Sequence, residues 1–245
     1  MTKEKIVEKL YGALRVMQDV DVEAVLKIAK DANGKSSCKN FIEYPESHIA
    51  DLIVELESDI LNETAKKNGT ATKLRACQKI LANAKKSGKE SYYKPYVKGE
   101  YQYITDGTTL ICLKDKIDME NGSEFDCIDN IDISKMPSSF DMVNINDKRS
   151  FKRLLEMEYK KKKALKIKPI AFQIQGKIFN AEKLINLMNC VEPDKIGVSK
   201  GALGNGGMLR VEDHNGNIGF LCGIRNYNIP EDSIIKIENG KIIER

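Results

Sequence analysis

Between residues 168 and 227 the hydrophobic pattern changes period twice, and this stretch narrows the choice of fold more than any other in the chain. Ile170, Phe172 and Ile174 alternate as they would in a half-buried strand. Phe179 and Asn180 then open a short helix, with Leu184, Ile185, Leu187 and Met188 at inward spacing and Glu182 and Lys183 in its first turn. Three short strands are expected after it, at 196–198, 208–211 and 219–224. Their turns fall at Gly201, Gly204, Gly206 and Gly207, and at His214-Asn215-Gly216. The order is strand, helix, antiparallel meander.

An earlier stretch repeats that organisation. Leu74, Cys77, Ile80, Leu81 and Ala84 predict a helix over 72–87, and strands rich in aromatic and β-branched residues follow at 92–97, 101–105 and 109–113. Lys98-Gly99 and Asp106-Gly107 mark the hairpin turns, and no clear strand precedes the helix. Asn68-Gly69 reads as a helix stop, followed by a fresh capping threonine at Thr70 or Thr72, so a domain boundary is expected there. Residues 1–68 read as a small bundle of three helices. The first carries Ile6, Val7, Leu10, Leu14 and Met17 behind Thr2. The second runs from Asp21 through Val22, Val25, Leu26 and Ile28 to Gly34. After an extended piece at 41–45, Ser47 caps the third, with Ile49, Leu52, Ile53, Leu56 and Ile60 inward. At the other end, Asn239-Gly240 predicts a hairpin within 228–245, which either covers an exposed sheet edge or adds strands to a neighbouring chain. The expected fold class is α+β: a helical bundle followed by two units of helix plus antiparallel meander.

The wording Phe179-Asn180-x-x-Lys183-Leu184, then Leu187 with Asn189-Cys190-Val191, then Gly219-Phe220-Leu221-Cys222-Gly223-Ile224-Arg225, resembles the last half-domain of bacterial DNA sliding clamps, the processivity fold of the DNA polymerase III beta subunit. Tyr103-Ile104-Thr105-Asp106-Gly107 is similar to the turn that ends a strand in clamp half-domains. The resemblance implies one clamp-like domain over 70–227, with half-domains 70–117 and 168–227 joined by an acidic loop and a basic helix over 118–167. It also implies helices that face DNA, an outer shell of strands, and a ring that a one-domain chain closes only by assembling several copies. Gly223 stands where clamps commonly have proline beside their peptide-binding site.

Net charge is only +4, from 40 Lys and Arg against 36 Asp and Glu, so the distribution of charge says more than the total. The helix at 72–87 presents Lys73, Arg75, Lys79, Lys85 and Lys86, with no acid between Glu63 and Glu90. A charge run is usually a solvated face, but a basic helix without balancing acids more often meets phosphate. Asp147 predicts the cap of a second basic helix, through Phe151, Leu154, Leu155 and Tyr159, that carries Lys148, Arg149, Lys152, Arg153 and the run Lys160-Lys161-Lys162-Lys163. The clamp resemblance adds Lys183, Asn186 and Asn189 on the equivalent later helix.

The intervening segment is acidic, with Asp118, Glu120, Glu124, Asp126, Asp129, Asp132 and Asp141. It lacks the central glycine and terminal glutamate of a calcium loop, and reads as a polar loop with a short strand. Asp51, Glu55, Glu57 and Asp59 read as a solvated helix face.

Other chemistry finds no pattern here. The glycines at 201–207 lack a Gly-Lys-Ser/Thr ending and a following helix, so they read as a turn and not a phosphate loop. Cys38, Cys77, Cys112, Cys127, Cys190 and Cys222 include no C-x-x-C pair, and neither His48 nor His214 stands near one in sequence. No metal, cofactor or enzymatic activity is expected. No apolar run reaches membrane-spanning length and MTKEKIVEKL lacks the order of a signal peptide, so a cytoplasmic protein without a membrane partner is expected. The functional expectation is a non-enzymatic, sliding-clamp-like protein that binds the duplex DNA backbone without reading bases. Its expected partners are duplex DNA, a replication or host protein, and further copies of itself. The alternative is a protein-interaction module of a phage or mobile element that reuses the clamp scaffold.

Overall fold

The computed structural model describes residues 2–19, 37–122, 137, 139–200, 207–224 and 229–243. The chain divides into two compact units, Met1–Gly69 and Thr70–Arg245. The helix expected at 21–34, the acidic residues from Glu124 to Asp132, the turn glycines Gly201, Gly204 and Gly206, and Arg225 lie outside the described residues.

In the first unit, α1 (Lys3–Gln18) packs against α2 (Ser37–Lys67). Val7, Ile53 and Ala65 are buried, and at the surface Lys3 Nζ reaches Asp59 at 3.0 Å and Glu63 at 2.8 Å. The expectation of an extended piece at 41–45 and a helix start at Ser47 is corrected here, because α2 begins at Ser37 and runs through Pro45. Proline biases its predecessor away from helix and removes one hydrogen bond, a local preference that the rest of a 31-residue helix outweighs.

The second unit is built on two sheets. Seven strands form an antiparallel sheet in the order β1-β2-β3-β9-β8-β7-β4. They are β1 (Tyr96–Lys98), β2 (Tyr101–Thr105), β3 (Thr109–Leu113), β4 (Phe140–Asn144), β7 (Lys195–Ser199), β8 (Met208–Glu212) and β9 (Ile218–Cys222). The two meanders therefore become one surface, joined where β3 pairs with β9 from Thr109↔Leu221 to Cys112↔Ile218. Period-two alternation puts Ile104, Ile111, Leu113, Ile196, Val198, Leu209, Val211 and Leu221 on one buried face. On that face α5 (Ala181–Val191) lies across β3, β9 and β8, and α3 (Ala71–Lys86) packs beside it, against β2. The other face carries a cluster of Tyr103, Leu110, Cys112 and Phe220, flanked by Tyr96, Tyr101, Phe140, Met208 and Ile218. There the Arg210 guanidinium sits 5.8 Å from the Phe140 ring centroid and 5.9 Å from that of Phe220.

The smaller sheet has the order β11-β10-β5-β6, with β5 (Ala171–Ile174), β6 (Lys177–Asn180), β10 (Ile234–Glu238) and β11 (Lys241–Ile243). The hairpin expected near the C-terminus covers the edge of a sheet, since β10 pairs in parallel with β5. Its turn needs Gly240, whose φ is +70 and where a Cβ would lie 2.4 Å from Asn144 O at the end of β4. Gln175, at the β5–β6 turn, ties the two sheets together. Its Nε2 donates to Asp141 O at 2.8 Å and its Oε1 accepts from Val198 N at 3.2 Å. The last long helix, α4 (Lys148–Ala164), is capped by Asp147, which accepts from Ser150 N at 3.0 Å.

The strand expected at 92–97 is shorter than the pattern implies. A 3-10 turn occupies Glu90–Tyr92, and β1 begins only at Tyr96. The fold class is α+β, and among the described residues no helix is long and apolar enough to cross a membrane.

Candidate nucleic-acid interface

The interface is built around α5. Asn180 caps it by accepting from Lys183 N at 3.0 Å, and Ala181, Leu184, Asn186, Leu187, Met188, Cys190 and Val191 are buried. Outward it leaves a narrow strip of exposed Glu182 and half-buried Ile185 and Asn189. α3 borders one side, where Asn186 Nδ2 donates to Ala76 O at 2.9 Å and Cys77 Sγ lies 3.7 Å from Cys190 Sγ. α4 borders the other, with Phe151 and Leu155 buried.

Burial pushes the Cys190 thiol well above its ordinary range and the Cys77 thiol adds to this, while the charges of Lys73 on α3 and Lys152 on α4 pull the other way. At the opposite end, Lys79 of α3 holds the Glu182 carboxyl below its usual range against burial, helped by Lys163 and Tyr159 of α4. Cys77 beside Cys190 and Lys79 beside Glu182 set the direction of α3 against α5, and Lys148 at the start of α4 pairs with Asp194 just past the C-terminal end of α5. Both flanking helices run antiparallel to α5 and bring basic residues to the two sides of one strip.

The residues expected to bind DNA divide into three groups. Arg75, Lys85 and Lys86 stand exposed on α3, and Arg149 and Arg153 stand exposed on α4. Lys73, Lys79, Lys148 and Lys152 also lie on these helices, in part engaged. Lys73 Nζ donates to Asp115 O at 3.3 Å, Lys79 Nζ pairs with Glu182 at 2.7 Å, and Lys148 pairs with Asp194. Lys183 is committed elsewhere: its Nζ lies 2.8 Å from Asp106 Oδ2 and also meets Thr108. Asn186, which the resemblance turns toward phosphate, is only 8% exposed and faces α3.

Asp106 explains the position of Lys183. Its Oδ1 accepts from Thr109 N at 2.7 Å, Thr108 N at 2.9 Å and the Thr108 hydroxyl at 2.7 Å. Burial opposes its ionisation, but Lys183, Thr108 and the backbone N–H groups of Thr108 and Thr109 outweigh burial and hold the carboxyl below the usual range. Between this turn and α3 lies a pocket of about 320 Å³ whose lining includes Lys79, Asn83, Asn180, Glu182 and Lys183.

The sequence reading registers Glu182 only as an acid beside Lys183. Its convergence with Lys79, Tyr159 and Lys163 depends on three helices that are distant in sequence, and no local signal announces it. Among the described residues, no group of three or more His, Cys, Asp or Glu could hold a metal ion. What the arrangement offers chemically is anion binding, by ammonium and guanidinium groups along two parallel walls. Compared with known proteins, the chain matches no family model, no curated sequence and no solved structure.

Proposed function

We propose that the unit Thr70–Arg245 binds the phosphate backbone of duplex DNA, without catalysis and without reading bases, in the manner its sequence resemblance to sliding clamps implies. The observation that carries this reading is the packing of two basic helices, α3 and α4, on either side of α5. Cations on rigid helices suit a polyanion, because they release counterions from phosphate without paying for loop ordering. Lys183 is left out of the interface, since its ammonium serves Asp106.

The test is fluorescence anisotropy with duplexes of unrelated sequence. For roughly five phosphate contacts, affinity should fall several hundred-fold between about 50 and 200 mM salt, equally for every sequence. Reversing Lys79, Lys85 and Lys86 together to Glu should abolish binding at the higher salt. Unchanged duplex binding by that variant would remove these lysines from the reading, and no duplex binding by the wild type, with partner-protein binding intact in the variant, would favour the protein-interaction module. Light scattering with and without duplex distinguishes an assembling ring, which gains mass by whole copies on the DNA, from a single bound chain.

A further inference from the structure

One carboxylate of α5 is paired with an ammonium of α3 and lies within reach of polar groups of α4. Lys79 Nζ, from α3, reaches Glu182 Oε1 at 2.7 Å. From α4, Tyr159 and Lys163 act on the same carboxylate, with Lys163 Nζ 5.9 Å from the Tyr159 ring centroid. These groups flank a single anion position at the N-terminal end of α5. A carboxylate offers two acceptor oxygens and one negative charge, as a phosphodiester does, so the same donors serve either group. The side chains of Lys79 and Glu182 are 49% and 52% exposed. Ion pairs in such solvent contact are weak and exchange readily.

We propose that Glu182 occupies, in the free protein, the position that one backbone phosphate takes in the complex, with Lys79 as that phosphate's ligand and Tyr159 and Lys163 beside it. This rests on the nucleic-acid reading. Glu182 is then an internal competitor that keeps the donors in place and holds affinity down until a polyanion displaces it. An ordinary repulsive acid would lower affinity by its charge alone, whatever stood beside it. A competitor acts through the donors it occupies, and this difference can be measured.

The experiment is a double-mutant cycle on the full chain, read by duplex anisotropy at about 100 mM salt, with thermal melts to confirm that each variant is folded. Glu182→Gln should bind about tenfold tighter, and its salt dependence should steepen by about one phosphate contact. In the Lys79→Met background the same change should gain less than about twofold, because the donor it frees is gone. Tyr159→Phe should weaken Glu182→Gln more than it weakens the wild type. If the wild type binds duplex while Glu182→Gln stays within twofold of it, or gains as much without Lys79 as with it, the inference is overturned and the nucleic-acid reading survives. If neither the wild type nor Glu182→Gln binds duplex at about 50 mM salt, both fall.

Discussion

Asp106 is 4% exposed, yet it keeps its charge. Its hydrogen bonds and the Lys183 ammonium depress the folded-state pKa below the unfolded value, so it contributes stability that is fully present above about pH 4 and is lost as pH falls through the depressed value. Replacing it with asparagine removes the anion that Lys183 faces and leaves an amide where an acceptor oxygen stood. Asp106→Asn should therefore cost about 2 kcal/mol at pH 7 in urea titrations, and the gap to wild type should narrow below about pH 4. A gap that stays constant into acid would show that the carboxylate's charge is not what stabilises this turn. The turn itself is legible in Thr105-Asp106-Gly107, because Asx chemistry and a glycine with φ of +81 are local matters. Its partner is not legible, since Lys183 lies 77 residues away and sequence spacing says nothing about such a pair.

At the level of elements, the helix-to-sheet packing turns on an absent side chain. A Cβ at Gly219 of β9 would lie 2.5 Å from Leu187 Cδ1 and 2.9 Å from Val211 Cγ2, so α5 rests directly on the strand backbone. Gly219→Ala should destabilise the protein by about 1 to 3 kcal/mol, read as a lower denaturant midpoint with an unchanged slope. An unaltered midpoint would mean that Leu187 swings aside without cost. The elements read most directly from the chain are those with strong local periodicity: α1, α3, α5 and the strands of both meanders. The misreadings occur where context overrides a local rule. Pro45 lies inside α2 against its own bias, and β6 is hidden because Phe179 and Asn180 serve as both strand end and helix cap. The interface was legible in part. The basic character of α3 and α4 is compositional and shows in the sequence, but the engagement of Lys183 and the inward turn of Asn186 come from packing.

At the level of the whole molecule, the two units meet in sequence at Gly69, where φ is +71 and Gly69 N donates to Lys66 O at 3.2 Å as α2 ends. Every cation assigned to the proposed interface lies within the second unit. Residues 70–245 alone should therefore melt cooperatively and bind duplex within about twofold of the full chain. Circular dichroism and anisotropy on that fragment check this, and a loss of folding or of affinity would mean that the second unit depends on the first.

The seam between β3 and β9 also dictates the order in which the protein can be made. A ribosome releases β3 long before β9, and β5 long before the parallel partner β10 that flanks it. Until those later strands emerge, each earlier one has an unpaired edge, and neither sheet can reach its final form. Closing contacts this distant in sequence is slow compared with forming a helix. The nascent chain therefore passes through an interval in which its helices are formed while both of its sheets still wait for strands yet to be translated.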